Sequence, residues 1–150
     1  MNQNILIISD RDGTIIEDKG FLGKNKNWKD EVKFISPVIN LLKHISTNLN
    51  SKIFIITNQG GVARGYFTCD LVEEINDYIN KELLKEGIRV SAWNYCPEVD
   101  REYASLKKDI KFNQNFVKEK TKRKPSIKMI VELLEKSKFK LEEFNKIIVF

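Results

Sequence analysis

Histidine and cysteine are nearly missing from this chain. Its one histidine, His44, and its two cysteines, Cys69 and Cys96, are too few for a disulfide framework or a zinc quartet of their own. His44 sits among Leu41, Leu42 and Ile45 in a stretch with helical spacing. That placement gives it a structural role and leaves no histidine to act as the base of a catalytic triad. No apolar run approaches the length of a membrane span, and no basic leader with a cleavage site precedes the first apolar stretch. No membrane partner and no signal peptide are therefore expected, and the scarcity of cysteine fits a reducing, cytoplasmic setting. Internal repeats and low-complexity linkers are also lacking, and 150 residues suit one domain, 1–150, with a sizeable core.

What is present is globular: 41% apolar and 31% charged residues, with a net charge of +5, a balance that excludes a disordered chain. Nine lysines and arginines fall between Lys107 and Lys128. They read as a solvated loop, although a positive excess suits nucleic acid or small phosphorylated substrates equally. The apolar residues come in short blocks. Asn4–Ser9, Lys52–Ile56, Val90–Tyr95 and Lys146–Phe150 read as strands buried on both faces. Residues 37–47 have helical spacing, with Val38, Leu41, Leu42 and Ile45 on one side and Pro37 in a first turn. Thr68 reads as the N-cap of a helix ending near Gly87, with Leu71, Ile75, Tyr78, Ile79 and Leu83 as its stripe. A last helix is predicted from about Pro125 to Lys138. Alternating strands and helices imply an α/β fold with a parallel sheet and right-handed crossovers.

In such sheets ligands bind beyond the carboxyl ends of the strands. Two of those ends carry polar residues. The first is Asp10-Arg11-Asp12-Gly13-Thr14, where a repelling pair of carboxylates sits two residues apart. The second is Thr57-Asn58-Gln59. A carboxylate such as Asp10 can attack phosphorus and form an acyl phosphate. Asp12 is then placed to act as general acid and later as general base. Gly13 permits the tight turn, and a divalent cation would offset the repulsion among carboxylates and phosphate.

D-x-D-G-T after an apolar strand resembles the first motif of the haloacid dehalogenase (HAD) superfamily. Further stretches are similar to its heptose 1,7-bisphosphate phosphatase and histidinol-phosphatase branch. They are Thr57 to Thr68 (TNQGGVARGYFT), Asp18-Lys19-Gly20-Phe21, Tyr95-Cys96-Pro97 and Arg123-Lys124-Pro125. The resemblance implies a HAD-like, Rossmann-like parallel sheet flanked by helices, with a minimal cap. It implies magnesium-dependent phosphomonoester hydrolysis, with Asp10 as nucleophile and metal ligand. Asp12 would be acid/base and offer its main-chain carbonyl to Mg²⁺. Thr57 and Asn58 would hold the phosphoryl group, Gln59 and Gly60 would bind substrate beside them, and Lys124 would neutralise charge. Asp18, Lys19, Gly20, Phe21 and Arg123 would face the substrate. Arg64 is either a fork for a second phosphate or a turn residue.

The chain departs from that branch in three places. Glu98 stands where a zinc-binding histidine is expected and no C-x-C precedes Arg123, so zinc is not expected. The run Lys124-Pro125-Ser126-Ile127-Lys128-Met129 is closer to histidinol phosphatases. The third magnesium carboxylate, which would follow the last strand, is missing, so a chain cut short before the fourth motif and impaired in turnover is expected. The favoured substrate is a small phosphorylated sugar such as D-glycero-D-manno-heptose 1,7-bisphosphate, acted on by a monomer. The alternatives are histidinol phosphate, a polynucleotide 3′-phosphate, or an inactive remnant; nucleic acid is the less expected partner, for want of an aromatic stacking platform. The stretch 98–122 either folds around Tyr103, Leu106, Ile110 and Phe116 or is mobile, and Trp28 and Phe34 are expected to pack rather than close over a ligand.

Overall fold

The computed structural model describes residues 4–150. Its main sheet has four parallel strands in the order β3-β2-β1-β6. These are β1 (Asn4–Asp10), β2 (Asn50–Asn58), β3 (Ala92–Cys96) and β6 (Lys146–Val149). β1 is central. It pairs with β2 from Asn4 opposite Asn50 to Asp10 opposite Ile56, and with β6 from Ile5 opposite Lys146 to Ile8 opposite Val149.

The unbroken apolar runs follow from burial on both faces. The strand period of two sends Ile5, Ile7, Ile53 and Ile55 to one face. There they meet Ile39, Leu42 and Ile45 of α2 (Ser36–Asn48) and Ile75, Ile79 and Leu83 of α3 (Cys69–Lys85). Leu6, Ile8, Phe54 and Ile56 point to the other face, against Met129, Leu133 and Leu134 of α5 (Lys128–Ser137). Each fully buried side chain of this kind contributes about 1.5–3 kcal/mol.

Several boundaries and faces differ from the sequence expectations. α2 buries Ile39, Leu42 and Ile45 and leaves Leu41 42% exposed, because the face turned to the sheet centres on Leu42, with Ile39 rather than Leu41 beside it. His44 falls on the solvent side of α2, where the Asn48 amide donates to its carbonyl at 2.8 Å, so it is not packed in the core. Thr68 does cap α3, its hydroxyl accepting from the Leu71 N–H at 3.2 Å. Val72 and Asn76 are buried in that helix where Leu71 and Tyr78 were expected; the latter two only pack against the core's margin. The last helix starts at Lys128 rather than Pro125, since 123–126 form a turn closed by the Ser126 N–H on the Arg123 carbonyl.

The stretch 98–122 is folded. β4 (Val99–Asp100) pairs in parallel with β5 (Val117–Lys118), with α4 (Arg101–Leu106) between them. A separate small core of Ala63, Val99, Phe112 and Val117, with Tyr103, Ile110 and Phe116 against it, holds this unit to the start of the 60–67 turn. Leu106 takes no part and is 74% exposed. Trp28, which opens the one-turn helix α1 (Trp28–Glu31), is buried edge-on against Tyr78 at 5.4 Å, with Phe34 packed on the same core. Both pack, as expected. Among the described residues no helix is long and apolar enough to cross a membrane.

Candidate active site

The carboxyl ends of β1 and β2 open into a cavity of about 270 Å³. Asp10 ends β1. One of its oxygens accepts from the Arg11 N–H at 2.7 Å and the other pairs with Lys124 Nζ at 2.6 Å. Lys124 is brought there by Asn58 at the end of β2. The Asn58 amide accepts from the Lys124 N–H at 2.9 Å and donates to its carbonyl at 3.4 Å. Asn58 thus acts on the main chain of the 123–126 turn, and through it on the ammonium.

The chain reverses just beyond Asp10. Gly13 has φ of +79°, a region that side chains with a Cβ rarely adopt, and its N–H closes the turn on the Ile16 carbonyl at 2.8 Å. That turn holds Asp12 beside Asp10. Arg11, wholly buried, forks onto Asp12, with Nε on Oδ1 and Nη2 on Oδ2, both at 3.0 Å. Asp12 Oδ2 also accepts from Thr57 Oγ1 at 3.1 Å and Gln59 Nε2 at 2.8 Å. Gln59 donates to the Thr57 hydroxyl as well, at 2.7 Å. The single hydroxyl hydrogen of Thr57 is therefore spent on Asp12. Thr57, on the cavity wall, thus also braces the second carboxylate.

The far wall is cationic and aromatic. Arg64 lies over the rings of Phe21, Tyr103 and Phe112, at 5.1, 5.6 and 5.2 Å, and donates to the Tyr103 hydroxyl at 2.6 Å. Arg123 lies over Tyr103 at 5.8 Å. A Cβ on Gly60 would stand 3.3 Å from a nitrogen of each arginine, so the two guanidinium groups converge on one point of the wall. Gly61 is required for space, since a Cβ there would overlap the Phe67 ring.

Of the residues singled out in the sequence, Asp10, Asp12, Asp18, Gly20, Phe21, Thr57, Asn58, Gln59, Gly60, Arg64, Arg123 and Lys124 line the cavity. Lys19 does not. The Asp18 carboxylate accepts from the Gly20 N–H at 2.8 Å, and this tight turn accompanies Phe21 on the cavity wall. Lys19 is left outside, paired with Glu17 at 2.7 Å, a contact that holds the Glu17 carboxyl below its ordinary value. Two lining residues were missed as such, Gly61 and Tyr103. Gly61 lay inside the quoted TNQGGVARG run. In the sequence Tyr103 reads as part of the core of the 98–122 stretch, and nothing in its neighbours marks it as reaching the cavity.

The sequence model of the polynucleotide kinase 3 phosphatase family matches residues 5–150. The chain belongs to that family. A D-glycero-beta-D-manno-heptose-1,7-bisphosphate 7-phosphatase from Helicobacter pylori is 34% identical over 109 residues, 72% of this chain and 60% of the relative. The chain thus spans a little over half the length of the curated relatives it matches. Among solved structures, the D,D-heptose 1.7-bisphosphate phosphatase from B. bronchiseptica, complexed with magnesium and phosphate, aligns over 94% of this chain and 66% of its own. Its TM-score is 0.67 at 24% identity. A Mesorhizobium loti protein described as HAD-like aligns over 99% of this chain and 64% of its own, with a TM-score of 0.74 at 21% identity. The fold of this family member is therefore HAD-like, with the parallel sheet and flanking helices expected from the sequence.

Proposed function

We propose that this member of the polynucleotide kinase 3 phosphatase family hydrolyses phosphomonoesters through a phosphoryl group carried on Asp10, and that its substrate is a sugar bisphosphate of the heptose 1,7-bisphosphate type. The observation that carries this reading is the Asp10–Lys124 pair at 2.6 Å at the end of the central strand, faced by Arg64 and Arg123 across the same cavity. Attack by an Asp10 oxygen forms its bond to phosphorus as the bond to the sugar oxygen breaks. Asp12 gives the departing oxygen a proton. Water then attacks the aspartyl phosphate while Asp12 takes one of its protons, the Asp10–phosphorus link breaks, and inorganic phosphate leaves with Asp10 free. Lys124 offsets the charge of the nucleophile and of the phosphoryl oxygens throughout. The guanidinium pair binds the second phosphate of the substrate.

The residues present fit a magnesium ion held largely by its substrate. Asp12 has one oxygen saturated by Arg11, Thr57 and Gln59 and the other held by Arg11, whereas each Asp10 oxygen has a single partner, so Asp10 is the more available carboxylate. Among the described residues nothing donates to the Asp12 carbonyl, and no three His, Cys, Asp or Glu side chains gather as a metal cluster. One carboxylate and one carbonyl, completed by phosphate oxygens and water, is a donor set that Mg²⁺ accepts. When bound, it would offset the negative charge shared by Asp10 and the phosphate.

A second reading, a polynucleotide 3′-phosphate, draws on a groove that shares Tyr103 and Arg123 with the site and is also lined by Lys120 and Lys128. One experiment separates the readings: phosphate release from heptose 1,7-bisphosphate and from a 3′-phosphorylated oligonucleotide, with and without Mg²⁺, by wild type and Asp10→Asn. The sugar reading expects faster release from the heptose ester, abolished in D10N. Equal rates for wild type and D10N overturn the phosphatase reading, and preference for the oligonucleotide overturns the sugar.

A further inference from the structure

The largest fully buried side chain is an arginine beside the cavity, and the reaction above gives it no part. Arg11 has no exposed surface. A buried guanidinium is costly unless its donors are satisfied. Two of its nitrogens meet both oxygens of Asp12, and the third, Nη1, donates to Asn76 Oδ1 at 2.8 Å. Asn76 is itself buried, at 6% exposure, a polar residue on the core stripe of α3 between Val72, Ile75 and Ile79. A leucine or alanine there would bury no polar group of its own but would leave Arg11 Nη1 without an acceptor, so the amide has a use. Its partner is 65 residues away in sequence, which ties α3 to the turn after β1.

The donors around Asp12 are unequal. Oδ2 accepts from three groups, Arg11, Thr57 and Gln59, whereas Oδ1 accepts from the Arg11 Nε alone. A carboxylate oxygen with three donors has no lone pair left for a proton, and Oδ1 keeps one. The planar two-point fork fixes the plane of the carboxyl group, and so where Oδ1 points.

We propose that Arg11 and Asn76 are positioning residues: Asn76 orients the Arg11 guanidinium, which holds Asp12 so that Oδ1 exchanges the proton with the leaving oxygen. This rests on the phosphatase reading. The test exploits the leaving group. A sugar alkoxide needs the proton from Asp12, whereas p-nitrophenolate departs without one. kcat/KM reports only the steps up to phosphoryl transfer onto Asp10, so it isolates the acid role. In the full chain, Asn76→Ala should lower kcat/KM for heptose 1,7-bisphosphate by about 10- to 100-fold and leave that for p-nitrophenyl phosphate within about threefold of wild type. Asn76→Leu, of similar size, serves the same purpose if the alanine variant does not fold. Asn76→Asp keeps an acceptor at the same place and should restore the sugar ester. Equal losses on both esters, or no loss on either, overturn the proposal while the phosphatase reading stands. So does failure of the aspartate variant to restore activity. Wild type no faster than D10N on either ester overturns the phosphatase reading, and this inference with it.

Discussion

Replacing Arg64 by methionine separates binding of a second phosphate from chemistry at the first. Methionine keeps an unbranched stem of similar length against Phe21, Tyr103 and Phe112 and removes the guanidinium that lies 5.1–5.6 Å from their rings. Losing charge-assisted hydrogen bonds to a phosphate costs about 1.5–3 kcal/mol, and each 1.4 kcal/mol or so is a factor of ten. KM for heptose 1,7-bisphosphate should therefore rise about 10- to 100-fold. A sugar monophosphate has no group for Arg64 to hold, so its KM and kcat should stay near wild type. Tyr103→Phe removes only the hydroxyl that accepts from Arg64 at 2.6 Å. It should move the bisphosphate KM in the same direction by the worth of one ordinary hydrogen bond, about 1 kcal/mol or roughly fivefold. Steady-state kinetics on the two substrates, with thermal melts to confirm folding, give both numbers. Equal loss on the bisphosphate and the monophosphate would make Arg64 a structural residue of the 60–67 turn and refute the reasoning. No loss on either would do the same.

Gly61→Ala drives a methyl group into the Phe67 ring and to 3.1 Å from Phe21. Overpacking of this kind costs about 1–3 kcal/mol, seen as a Tm lower by several degrees and a weakened site. The Glu132 carboxyl is raised by partial burial, but the hydrogen bonds from Lys122 and Asn94 outweigh that and hold it below its ordinary 4.5. Its contribution to stability is therefore present above that value and lost as pH falls through the folded one. Glu132→Gln should lower Tm near neutral pH and have no effect in strong acid. Burial pushes the Cys96 thiol up, and the residue has no exposed surface. Iodoacetamide should modify Cys69 in the native protein and reach Cys96 only in denaturant, as mass spectrometry would read. Rapid modification of native Cys96 would mean that the carboxyl end of β3 opens.

The four main strands, the Thr68 cap and the convergence of Asp10 with Thr57-Asn58-Gln59 were legible in the sequence. Each rests on local physics: apolar runs make strands covered on both faces, a hydroxyl satisfies the first turn of a helix, and parallel strands present their carboxyl ends to one edge. The partner of each polar group was not legible. That Thr57 braces Asp12, that Asn58 grips the main chain of Lys124, and that Lys19 turns away to Glu17 depend on side-chain directions that spacing does not set. Asn76 left no trace, since position 76 lies off the stripe read for α3 in the sequence; it and its partner Arg11 come together only when α3 is laid against the turn after β1. Tyr103 left none. Its place on the cavity wall depends on Val99, Phe112 and Val117 closing a small core under α4. Local patterning, set by residues a few positions apart, determined the elements and the edge at which the site forms. The partners in the site are contacts between residues far apart in sequence, and only the folded chain decides which of them meet.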